Sequence, residues 1–469
     1  MAEKQEFDLV VLGGGPGGYT AAFRAADLGL SVCLIDERSR LGGVCLHVGC
    51  IPSKTLLHAA SVLEATHEAG AIGLTFTRPE IDLDALRRKK DQIVQQLADG
   101  LDTLSKVRKI TRITGRGEFR DPQTIGVVGK QGTTEITFKD AIIATGSHAS
   151  VLPGAPDDPR IWDSDDALDL SYVPKRLLIV GGGIIGLEMA QVYSSLGSAI
   201  TIVEMCDQLI PPADQDLVQP LLRKLKDKYR LLTGTRVAEI IARDSGIQVG
   251  FAGEEQEKTG EYDVVLVAVG RRPNTAGLGL DKIDLEVNTH GFLTVNERQQ
   301  TAVAHVYAIG DVVVGPMLAH KATHQGKVAA EVIAECKAAF TPMTIPSVAY
   351  TSPEIAWMGI TEKQAAERGI AYRKGTFPWH ASGRALCTGH TQGISKALFD
   401  RATGRIIGAG VCGSHAGELI HEAVLAMEMG ADAEDISRTI HAHPTLSETF
   451  ALAAEMVAGS ITDVLPPKK

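Results

Sequence analysis

Two cysteines in the glycine-rich segment 42–54 are spaced for redox chemistry. Cys45 and Cys50 have four residues between them, and Gly49 and Pro52 flank the second cysteine. In a regular helix, residues five apart are separated by about 7.5 Å of rise, whereas a disulfide tolerates a Cα separation of about 7 Å. Gly49 can relax the backbone, and Pro52 is favoured in the first turn of a helix. We therefore expect a redox-active disulfide at a distorted helix start, where the helix dipole favours thiolates.

The alternative for this pair is two buried thiols or half of a metal site. Structural zinc sites combine closely spaced cysteines with a second Cys or His pair downstream, and the sequence has no such second pair. His320 and His324 are four residues apart on a predicted helix, but no carboxylate or cysteine motif accompanies them. The sequence therefore predicts no metal site.

A nucleotide fingerprint precedes the cysteines. The apolar run 7–12 is typical of a buried parallel strand, and it leads into Gly13, Gly15 and Gly18 of a GxGxxG motif. A predicted helix and a second strand follow, and that strand ends at Asp36, 23 residues after the first glycine (36 − 13 = 23). In such a unit the glycines admit a pyrophosphate to the helix N-terminus, and the acid binds a ribose hydroxyl. The ordered combination predicts a dinucleotide site.

The same unit recurs later in the chain. The apolar run 176–180 leads into Gly181, Gly183 and Gly186, and the next predicted strand ends at Glu204, again with a spacing of 23 residues (204 − 181 = 23). Each fingerprint holds one pyrophosphate, so two fingerprints imply two dinucleotides. The alternative is a pair of related folds of which one is now empty.

Each unit also has a strand that returns to its nucleotide. Segment 141–146 ends in Thr145 and Gly146, and the similar segment 264–270 ends in Gly270. Both runs are apolar and short, as expected of strands in the middle of a parallel sheet. We expect their C-terminal glycines to face the cofactors.

The acid at the end of the second unit favours NAD over NADP. A carboxylate at Glu204 accepts hydrogen bonds from a free ribose hydroxyl but repels a 2′-phosphate, which would call for a nearby arginine. Residues 205–208 are Met, Cys, Asp and Gln, and none of them is basic. The sequence therefore predicts NAD as the second dinucleotide.

Composition limits the class of protein. A chain of 469 residues suggests roughly three or four domains. Its net charge of −10 argues against a nucleic-acid partner, and no apolar run reaches the roughly 20 residues that span a bilayer. Its seven cysteines form no dense framework, and the acidic N-terminus resembles neither a secretory signal nor a transit peptide. We expect a cytoplasmic protein of bacterial type with a catalytic disulfide, and the alternative is a processed organelle form.

The remaining segments supply scaffold and one further carboxylate. Segment 56–138 predicts a long helical arm followed by short strands, and its basic run 87–90 is interpreted as a solvated helix face. Segment 301–311 is an apolar strand that delivers Asp311 to a cofactor. After Pro346 the pattern becomes α+β without a nucleotide fingerprint, which indicates an interface domain.

From the first strand to the last helix, the chain resembles the flavoprotein disulfide reductases. It is most similar to the members that oxidise dihydrolipoamide. The resemblance is carried by motifs in the expected order: 42–54, Ala144-Thr145-Gly146, Gly310-Asp311, Met317-Leu318-Ala319-His320-Lys321 and His443-Pro444-Thr445-Leu446-Ser447-Glu448. His47 departs from the family pattern, which has Asn between the cysteines, and we expect it to tune the site.

The resemblance implies FAD at the first fingerprint and NAD at the second. Asp36 would hold the adenosine ribose, Asp311 the ribityl chain, and Lys54 would lie near the flavin with Glu188 as its partner. The cofactor-binding residues expected from fingerprints and resemblance together are Gly13, Gly15, Gly18, Asp36, Lys54, Thr145, Gly146, Asp311, Ala319, Gly181, Gly183, Gly186, Glu204 and Gly270.

Residues and resemblance together predict an α/β fold with two Rossmann-type dinucleotide-binding domains and a C-terminal α+β dimerisation domain. The expected domains are 1–149 for FAD and the redox disulfide, 150–274 for NAD, 275–345 as a central domain completing the FAD site, and 346–469 as the dimer interface. The resemblance implies an obligate homodimer in which the C-terminal domain of one subunit completes the active site of the other.

The implied reaction oxidises dihydrolipoamide to lipoamide and reduces NAD. His443 would remove a proton from a substrate thiol, and Glu448 would orient its imidazole. Cys45 would be the interchange thiol and Cys50 the thiol facing the flavin. The peptide bond before Pro444 is a candidate for the cis form. The other five cysteines are expected to pack as small apolar residues.

Several alternatives share parts of this pattern. Glutathione and trypanothione reductases use NADPH, which Glu204 disfavours. Mercuric reductase carries a C-terminal cysteine pair, and residues 461–469 contain no cysteine. Soluble transhydrogenase lacks the paired cysteines that this sequence has. A purely structural role as a core subunit would leave two cofactor sites and a redox pair unexplained.

The expected partners are lipoyl domains and the acyltransferase subunit of 2-oxo acid dehydrogenase complexes.

Overall fold

The computed structural model describes residues 5–77, 79–130, 132–253 and 259–465. Residues 1–4 and 466–469, which entered the sequence arguments about targeting and about a C-terminal cysteine pair, lie outside these ranges. No helix in the described ranges is long and apolar enough to cross a membrane.

A mostly parallel sheet organises the N-terminal part of the chain. Its elements are β1 (Gln5–Leu12), α1 (Pro16–Asp27), β2 (Val32–Asp36), α2 (Gly43–Val48), α3 (Cys50–Glu68), α4 (Leu83–Val107), β3 (Thr111–Thr114), β4 (Arg116–Asp121), β5 (Thr124–Gly129) and β6 (Gly132–Ile143), together with the later β17 (Val306–Ala308) and α8 (Ala319–Ile333). The strand order is β3-β2-β1-β6-β5-β4, and β17 pairs with residues 141–143 of β6, beyond the part of that strand that pairs with β5. Strands β3, β2, β1, β6 and β17 run parallel, whereas β4 and β5 form an antiparallel extension.

Both faces of this sheet are buried, which explains why its strands are continuously apolar. Val10 and Leu12 of β1 pack in the core on one face. Leu9 and Val11 pack in the core on the other face, with residues of α1 and α8. The chain returns to this sheet at β17, so the segment that carries Asp311 completes the first nucleotide unit.

The second nucleotide unit repeats the first. Its elements are β8 (Ile161–Trp162), α5 (Ser164–Asp169), β9 (Arg176–Val180), α6 (Ile184–Leu196), β10 (Ala199–Val203), α7 (Gln215–Lys226), β11 (Arg230–Leu232), β12 (Arg236–Arg243), β13 (Gly246–Ala252), β14 (Thr259–Tyr262) and β15 (Val264–Val267). A parallel sheet has the order β11-β10-β9-β15-β8, and β12-β13-β14 form an antiparallel sheet beside it. The two units are joined by an antiparallel pair, β7 (Ser147–Ala149) and β16 (Arg271–Pro273).

The C-terminal unit is an antiparallel sheet covered by helices. Its elements are β18 (Ser347–Ala349), β19 (Glu354–Gly359), α9 (Glu362–Glu367), β20 (Tyr372–Pro378), α10 (Gly383–Thr388), β21 (Ile394–Asp400), β22 (Ile406–Gly413), α11 (Ala416–Glu428), α12 (Ala433–Arg438) and α13 (Glu448–Ala458). The strand order is β18-β19-β22-β21-β20. Residues of α11, α12 and α13 share one core with this sheet. The expected fold class is thus confirmed, whereas the four domain boundaries stay a prediction.

Two sequence expectations are wrong in part. The basic run 87–90 is not wholly solvated, because Lys90 is buried and its Nζ donates to the carbonyl oxygen of Leu168 at 2.9 Å near the end of α5. Cys33 and Cys412 are buried as expected, but Cys206, Cys336 and Cys387 are exposed. In both cases packing between distant segments determines which side chains are buried. Residue type alone does not determine that packing.

Candidate active site

A cavity of about 2370 Å³ brings both nucleotide fingerprints and the cysteine pair together. The expected site residues that line it are Gly13, Gly15, Asp36, Cys45, Cys50, Lys54, Thr145, Gly146, Gly181, Gly183, Glu188, Glu204, Gly270, Asp311 and Ala319. In the described part of the chain, four expected site residues are not part of this lining: Gly18, Gly186, His443 and Glu448. A single chain therefore assembles the cofactor and cysteine residues but not the expected histidine base.

The first fingerprint has the geometry of a dinucleotide site. Asp36 ends β2, and its two carboxylate oxygens accept hydrogen bonds from the backbone N–H of Gly14 at 2.5 Å and of Arg38 at 2.6 Å. A Cβ on Gly18 would lie 1.8 Å from the carbonyl oxygen of Gly13. Gly18 thus acts by letting α1 pack on the turn that follows β1, and this packing role accounts for its position outside the cavity.

The second fingerprint has the same arrangement. Glu204 follows β10, and its carboxylate accepts from the backbone N–H of Gly182 and of Cys206, each at 2.7 Å. A Cβ on Gly186 would lie 2.2 Å from the carbonyl oxygen of Gly181. The sequence repeat therefore corresponds to a structural repeat, in which each acid is fixed at a cavity wall.

The cavity surface fits FAD and NAD. An ideal Cβ on Gly146, Gly183 or Gly270 would have nothing within 4 Å, so these backbones face open space in which a ligand can approach closely. On the FAD side, the carboxylate of Asp311 accepts from the Ser147 hydroxyl at 2.6 Å, which fixes an acceptor for a polyhydroxyl chain. The volume, the bare glycine surfaces and the acids are what two dinucleotides require.

The two cysteines meet across a helix break. Cys45 lies in α2 and Cys50 is the first residue of α3, with Gly49 between the helices at φ −148° and ψ −118°. A Cβ on Gly49 would lie 2.8 Å from the carbonyl oxygen of Val44 and 3.1 Å from Cys45 Cα. Only glycine permits this close approach, and it places Cys50, at the start of α3, next to the turn of α2 that carries Cys45.

The structure shows the pair as thiols of unequal acidity. The hydrogen bond from the Cys45 thiol lowers the pKa of Cys50 to about 6; burial opposes this shift, and the positive charge of Lys54 adds to it. The same contact and burial raise the pKa of Cys45. The reduced pair therefore loses its first proton more readily than an ordinary thiol and holds its second more tightly, so that we expect one thiolate shared by the pair at neutral pH.

Lys54 and Glu188 form the ion pair expected beside the cysteines. Lys54 is one turn beyond Cys50 on α3, and its Nζ lies 3.0 and 2.9 Å from the two carboxylate oxygens of Glu188 on α6. Glu188 is only 3% exposed, and it also accepts from the Ser53 hydroxyl at 2.7 Å and from the Tyr350 N–H at 3.2 Å. These donors compensate the burial of the carboxylate.

His443 and Glu448 are paired, as expected, at the start of α13. His443 Nδ1 lies 2.8 Å from Glu448 Oε1, and the other carboxylate oxygen accepts from the Thr445 N–H at 2.5 Å. Although burial opposes it, that N–H and His443 lower the pKa of Glu448. Donation from Nδ1–H leaves Nε2 free to accept a proton, and the His443 side chain is 78% exposed. The peptide bond before Pro444 is cis, as expected.

Several lining residues were not found from the sequence. Ser147, Arg236, Arg271 and Tyr350 all line the cavity, and Arg271 donates to the Ser147 hydroxyl at 2.7 Å. All four lie outside the motifs. Arg236, Arg271 and Tyr350 reach the cavity from β12, from β16 and from the end of β18, whose positions depend on tertiary packing. Ser53 had one available signal, since it directly precedes Lys54 in the cysteine motif.

Comparisons with known proteins give the class. The model of the pyridine nucleotide-disulphide oxidoreductases matches residues 7–326, and the model of their dimerisation domain matches residues 345–454. The chain belongs to the pyridine nucleotide-disulphide oxidoreductase family. Members of this family use FAD and NAD(H), in agreement with the cavity.

Full-length relatives narrow the group. The chain is 51% identical to a dihydrolipoyl dehydrogenase of Vibrio cholerae, covering 99% of this chain and 98% of that protein. It is 50% identical to a dihydrolipoyl dehydrogenase of Haemophilus influenzae, with the same coverage. A mitochondrial dihydrolipoyl dehydrogenase of Arabidopsis thaliana is 42% identical over 96% of this chain and 90% of its own length.

Solved structures agree with this grouping. LpdA from Mycobacterium tuberculosis is 27% identical, with a TM-score of 0.89 over 97% of this chain and 99% of that chain. The flavoprotein disulfide reductase RclA from Escherichia coli, in a Cu(II) complex, is 28% identical, with a TM-score of 0.86 over 97% of this chain and 100% of that chain. The architecture is thus that of flavoprotein disulfide reductases.

Proposed function

We propose that this chain works as a dihydrolipoyl dehydrogenase, oxidising a protein-bound dihydrolipoyl group and reducing NAD⁺. The observation that carries the proposal is that Cys45, Cys50 and both nucleotide fingerprints line one cavity. The identity of about 50% to dihydrolipoyl dehydrogenases over almost the whole chain supports the choice of substrate.

The cysteine pair performs the exchange with substrate. In the oxidised state Cys45 and Cys50 form a disulfide, and a substrate thiolate attacks Cys45 Sγ. The S–S bond breaks and Cys50 leaves as a thiolate, which its depressed pKa favours. The second substrate thiolate then attacks the substrate sulfur of the mixed disulfide and releases Cys45. The substrate becomes a disulfide, and its two electrons reside on the cysteine pair.

His443 supplies the base for both attacks. Free thiols with a pKa near 8.5 are mostly protonated at neutral pH, so each must lose its proton before it attacks. His443 Nε2 takes the first thiol's proton and releases it to solvent, then takes the second thiol's proton and passes it to the Cys45 sulfur released in the second attack. Glu448 holds the ring through Nδ1 and stabilises the imidazolium formed each time. His443 does not line the cavity of its own chain, so we assign this step to His443 of the partner subunit. The dimerisation domain at residues 345–454 supports this arrangement.

The remaining residues hold the cofactors. Gly13, Gly15, Asp36 and Asp311 would bind FAD, and Glu204 would bind the ribose of NAD. When bound, FAD supplies the acceptor for the two electrons of the cysteine pair and a hydride donor for NAD⁺. Lys54, paired with Glu188, keeps a positive charge beside the Cys50 thiolate.

The proposed partners follow from the substrate. A homodimer would bind lipoyl domains at its active sites and the acyltransferase subunit of a 2-oxo acid dehydrogenase complex. The expectation of a cytoplasmic location stays a prediction.

Anaerobic reduction with dihydrolipoamide tests the reaction. We expect the FAD-loaded dimer to take up two electrons per chain and to form NADH when NAD⁺ is added. Cys45→Ser and Cys50→Ser should each abolish turnover, whereas Cys387→Ser, at an exposed cysteine outside the cavity lining, should leave it unchanged. Turnover of glutathione disulfide with NADPH in place of this reaction would contradict the proposal.

A further inference from the structure

Tyr350 contacts the Lys54–Glu188 pair from the C-terminal unit. Its ring centroid lies 4.5 Å from Lys54 Nζ, and its backbone N–H donates to Glu188 Oε1 at 3.2 Å. Tyr350 directly follows β18 and is 296 residues from Lys54 in sequence (350 − 54 = 296). The pair beside the cysteines is therefore held by three segments: α3, α6 and the residue after β18.

The Tyr350 ring gives the Lys54 ammonium group a second contact in addition to the Glu188 carboxylate. An ammonium group has three N–H donors, and Glu188 accepts from Nζ with both of its oxygens. The described structure gives Lys54 Nζ no other oxygen acceptor, and the face of the Tyr350 ring attracts a cation. Because the Lys54 side chain is 35% exposed, loss of this ring would let the flexible chain turn towards solvent.

The position of the ammonium group matters because two opposite charges act on Cys50. The positive charge of Lys54 lowers the pKa of Cys50, and the negative charge of Glu188 raises it. The contribution of Lys54 is the larger of the two. If Lys54 moved away while Glu188 stayed in its buried position, the balance would reverse and the thiolate would be disfavoured.

Tyr350 itself stays neutral in this environment. Burial, followed by the charges of Glu418, Glu354, Glu188 and Cys50, raises the pKa of Tyr350 above its ordinary value of 10.0. The phenol is therefore protonated over the pH range in which Cys50 titrates. Lys54 therefore contacts an uncharged aromatic ring and not a phenolate.

We propose that Tyr350 is a positioning residue for the redox pair, whose ring and backbone N–H hold Lys54 and Glu188 in place so that the ammonium group stays beside Cys50. The inference rests on the proposed redox role of Cys50. It also assigns to the C-terminal unit a part in its own chain's active site, separate from the part that His443 plays across the dimer.

The test uses the FAD-loaded dimer with Cys45→Ser, in which Cys50 is the remaining thiol of the pair and a hydroxyl replaces the Cys45 donor. The pH midpoint of the Cys50 thiolate is read from its long-wavelength absorbance beside FAD, and from the alkylation rate of Cys50 in the FAD-free chain. We expect Tyr350→Leu to raise this midpoint by about 0.5–1 pH unit, the size of a partly buried cation–π contact. Tyr350→Phe, which keeps the ring, should leave it unchanged.

A double mutant distinguishes positioning from general loss of structure. Lys54→Met should itself raise the midpoint, and Tyr350→Leu should add no further shift in that background. FAD content and thermal midpoint report whether Tyr350→Leu folds; if it does not, Tyr350→Met provides a second ring-free side chain for the same measurement.

The outcomes separate the two proposals. An equal shift by Tyr350→Leu with and without Lys54, or a shift by Tyr350→Phe as large as that by Tyr350→Leu, would overturn the positioning role. Failure of the wild-type enzyme to turn over dihydrolipoamide would instead overturn the proposed function, whatever the thiolate midpoint.

Discussion

His441 Nε2 lies 2.6 Å from Glu422 Oε1, and this pair ties the loop that carries His443 to α11. The other ring nitrogen, Nδ1, lies 2.7 Å from the carbonyl oxygen of Thr439. The two partners contact opposite nitrogens of the ring and so fix its orientation. The His441 side chain is 10% exposed, whereas that of His443 is 78% exposed, so the buried ring anchors the exposed one.

Glu422→Gln should therefore slow catalysis without touching the base. The substitution removes the carboxylate that holds the His441 ring, and we expect kcat to fall about 10-fold, near the lower limit for a lost charged hydrogen bond. The measurement is steady-state oxidation of dihydrolipoamide by the dimer. Glu434→Gln is the control, because Glu434 forms an exposed pair with Arg438 on α12, just before the loop. Equal rates for Glu422→Gln and wild type would contradict an anchoring role for His441.

The reduced protein should contain one thiolate per cysteine pair at neutral pH. Since the pKa of Cys50 is lowered to about 6, its ultraviolet thiolate absorbance should appear as the pH rises through about 6, well below the ordinary value of 9.0. Cys50→Ser should abolish this step, and Cys387→Ser should keep it. A first ionisation near pH 9 in the wild type would disprove the inequality of the two thiols.

The same shift makes the stability of the reduced protein depend on pH. A depressed pKa in the folded state means that the Cys50 thiolate stabilises the fold. This contribution is complete above the unfolded value near 9.0 and is lost as the pH falls through about 6. The difference in urea midpoint between the reduced wild type and Cys50→Ser should therefore shrink as the pH falls from about two units above the folded value to about one unit below it, from pH 8 to pH 5.

A buried lysine joins the second nucleotide unit to the C-terminal unit. Lys396 on β21 is 2% exposed, and its Nζ lies 2.7 Å from both Asp214 and Asp216 and 2.8 Å from Glu362. Although burial opposes it, hydrogen bonds from Lys374 and Lys396 lower the pKa of Glu362 to about 2. Two lysines compensate two of the three negative charges in this cluster, which forms a structural contact between α7, α9 and β21.

Lys396→Met should destabilise the protein by about 3–5 kcal/mol, because it leaves the buried carboxylate of Asp214 without its cation. Lys374→Met is the matched control: Lys374 contacts Asp216 and Glu362, but its side chain is 33% exposed, and the expected loss is about 1 kcal/mol. Urea unfolding of both variants gives the comparison. A smaller loss for Lys396→Met than for Lys374→Met would show that burial does not set the strength of this contact.

The parts that were predictable from sequence are those that form within a short stretch of chain. Each nucleotide unit is a strand, turn, helix and strand in about thirty residues, and Asp36 and Glu204 lie where the spacing put them. The Cys45–Cys50 contact likewise depends on Gly49 between them. The cofactor fingerprints and the redox pair were therefore predictable because each is formed by residues close together in the sequence.

The parts that were missed depend on distant segments. Tyr350 reaches Lys54 only because β18 packs beside α6, and Lys396 meets Asp214 only because two units dock. The exposure of Cys206, Cys336 and Cys387 was wrongly expected to be low, because an apolar residue type does not determine which surface is covered. Neither kind of contact leaves a periodic or spaced pattern in the chain.

One missed residue bears directly on the choice of dinucleotide. Arg236, at the start of β12, lines the same cavity as Glu204 although 32 residues separate them (236 − 204 = 32). A basic side chain is therefore within the cavity even though residues 205–208 contain none. The preference for NAD then rests on the charge of Glu204, which two backbone N–H groups hold in place.

Glu204→Gln should weaken NAD use and admit NADP. Loss of a charged acceptor for the ribose hydroxyl should lower kcat/KM for NAD⁺ about 10-fold. Removal of the repulsion should raise kcat/KM for NADP⁺, since Arg236 can then meet the 2′-phosphate. The double variant Glu204→Gln with Arg236→Ala should lose the gain with NADP⁺, and Asp207→Asn, at an exposed acid outside the cavity lining, should change neither value. If Glu204→Gln gains no NADP⁺ activity, the discrimination between the dinucleotides does not lie in this carboxylate.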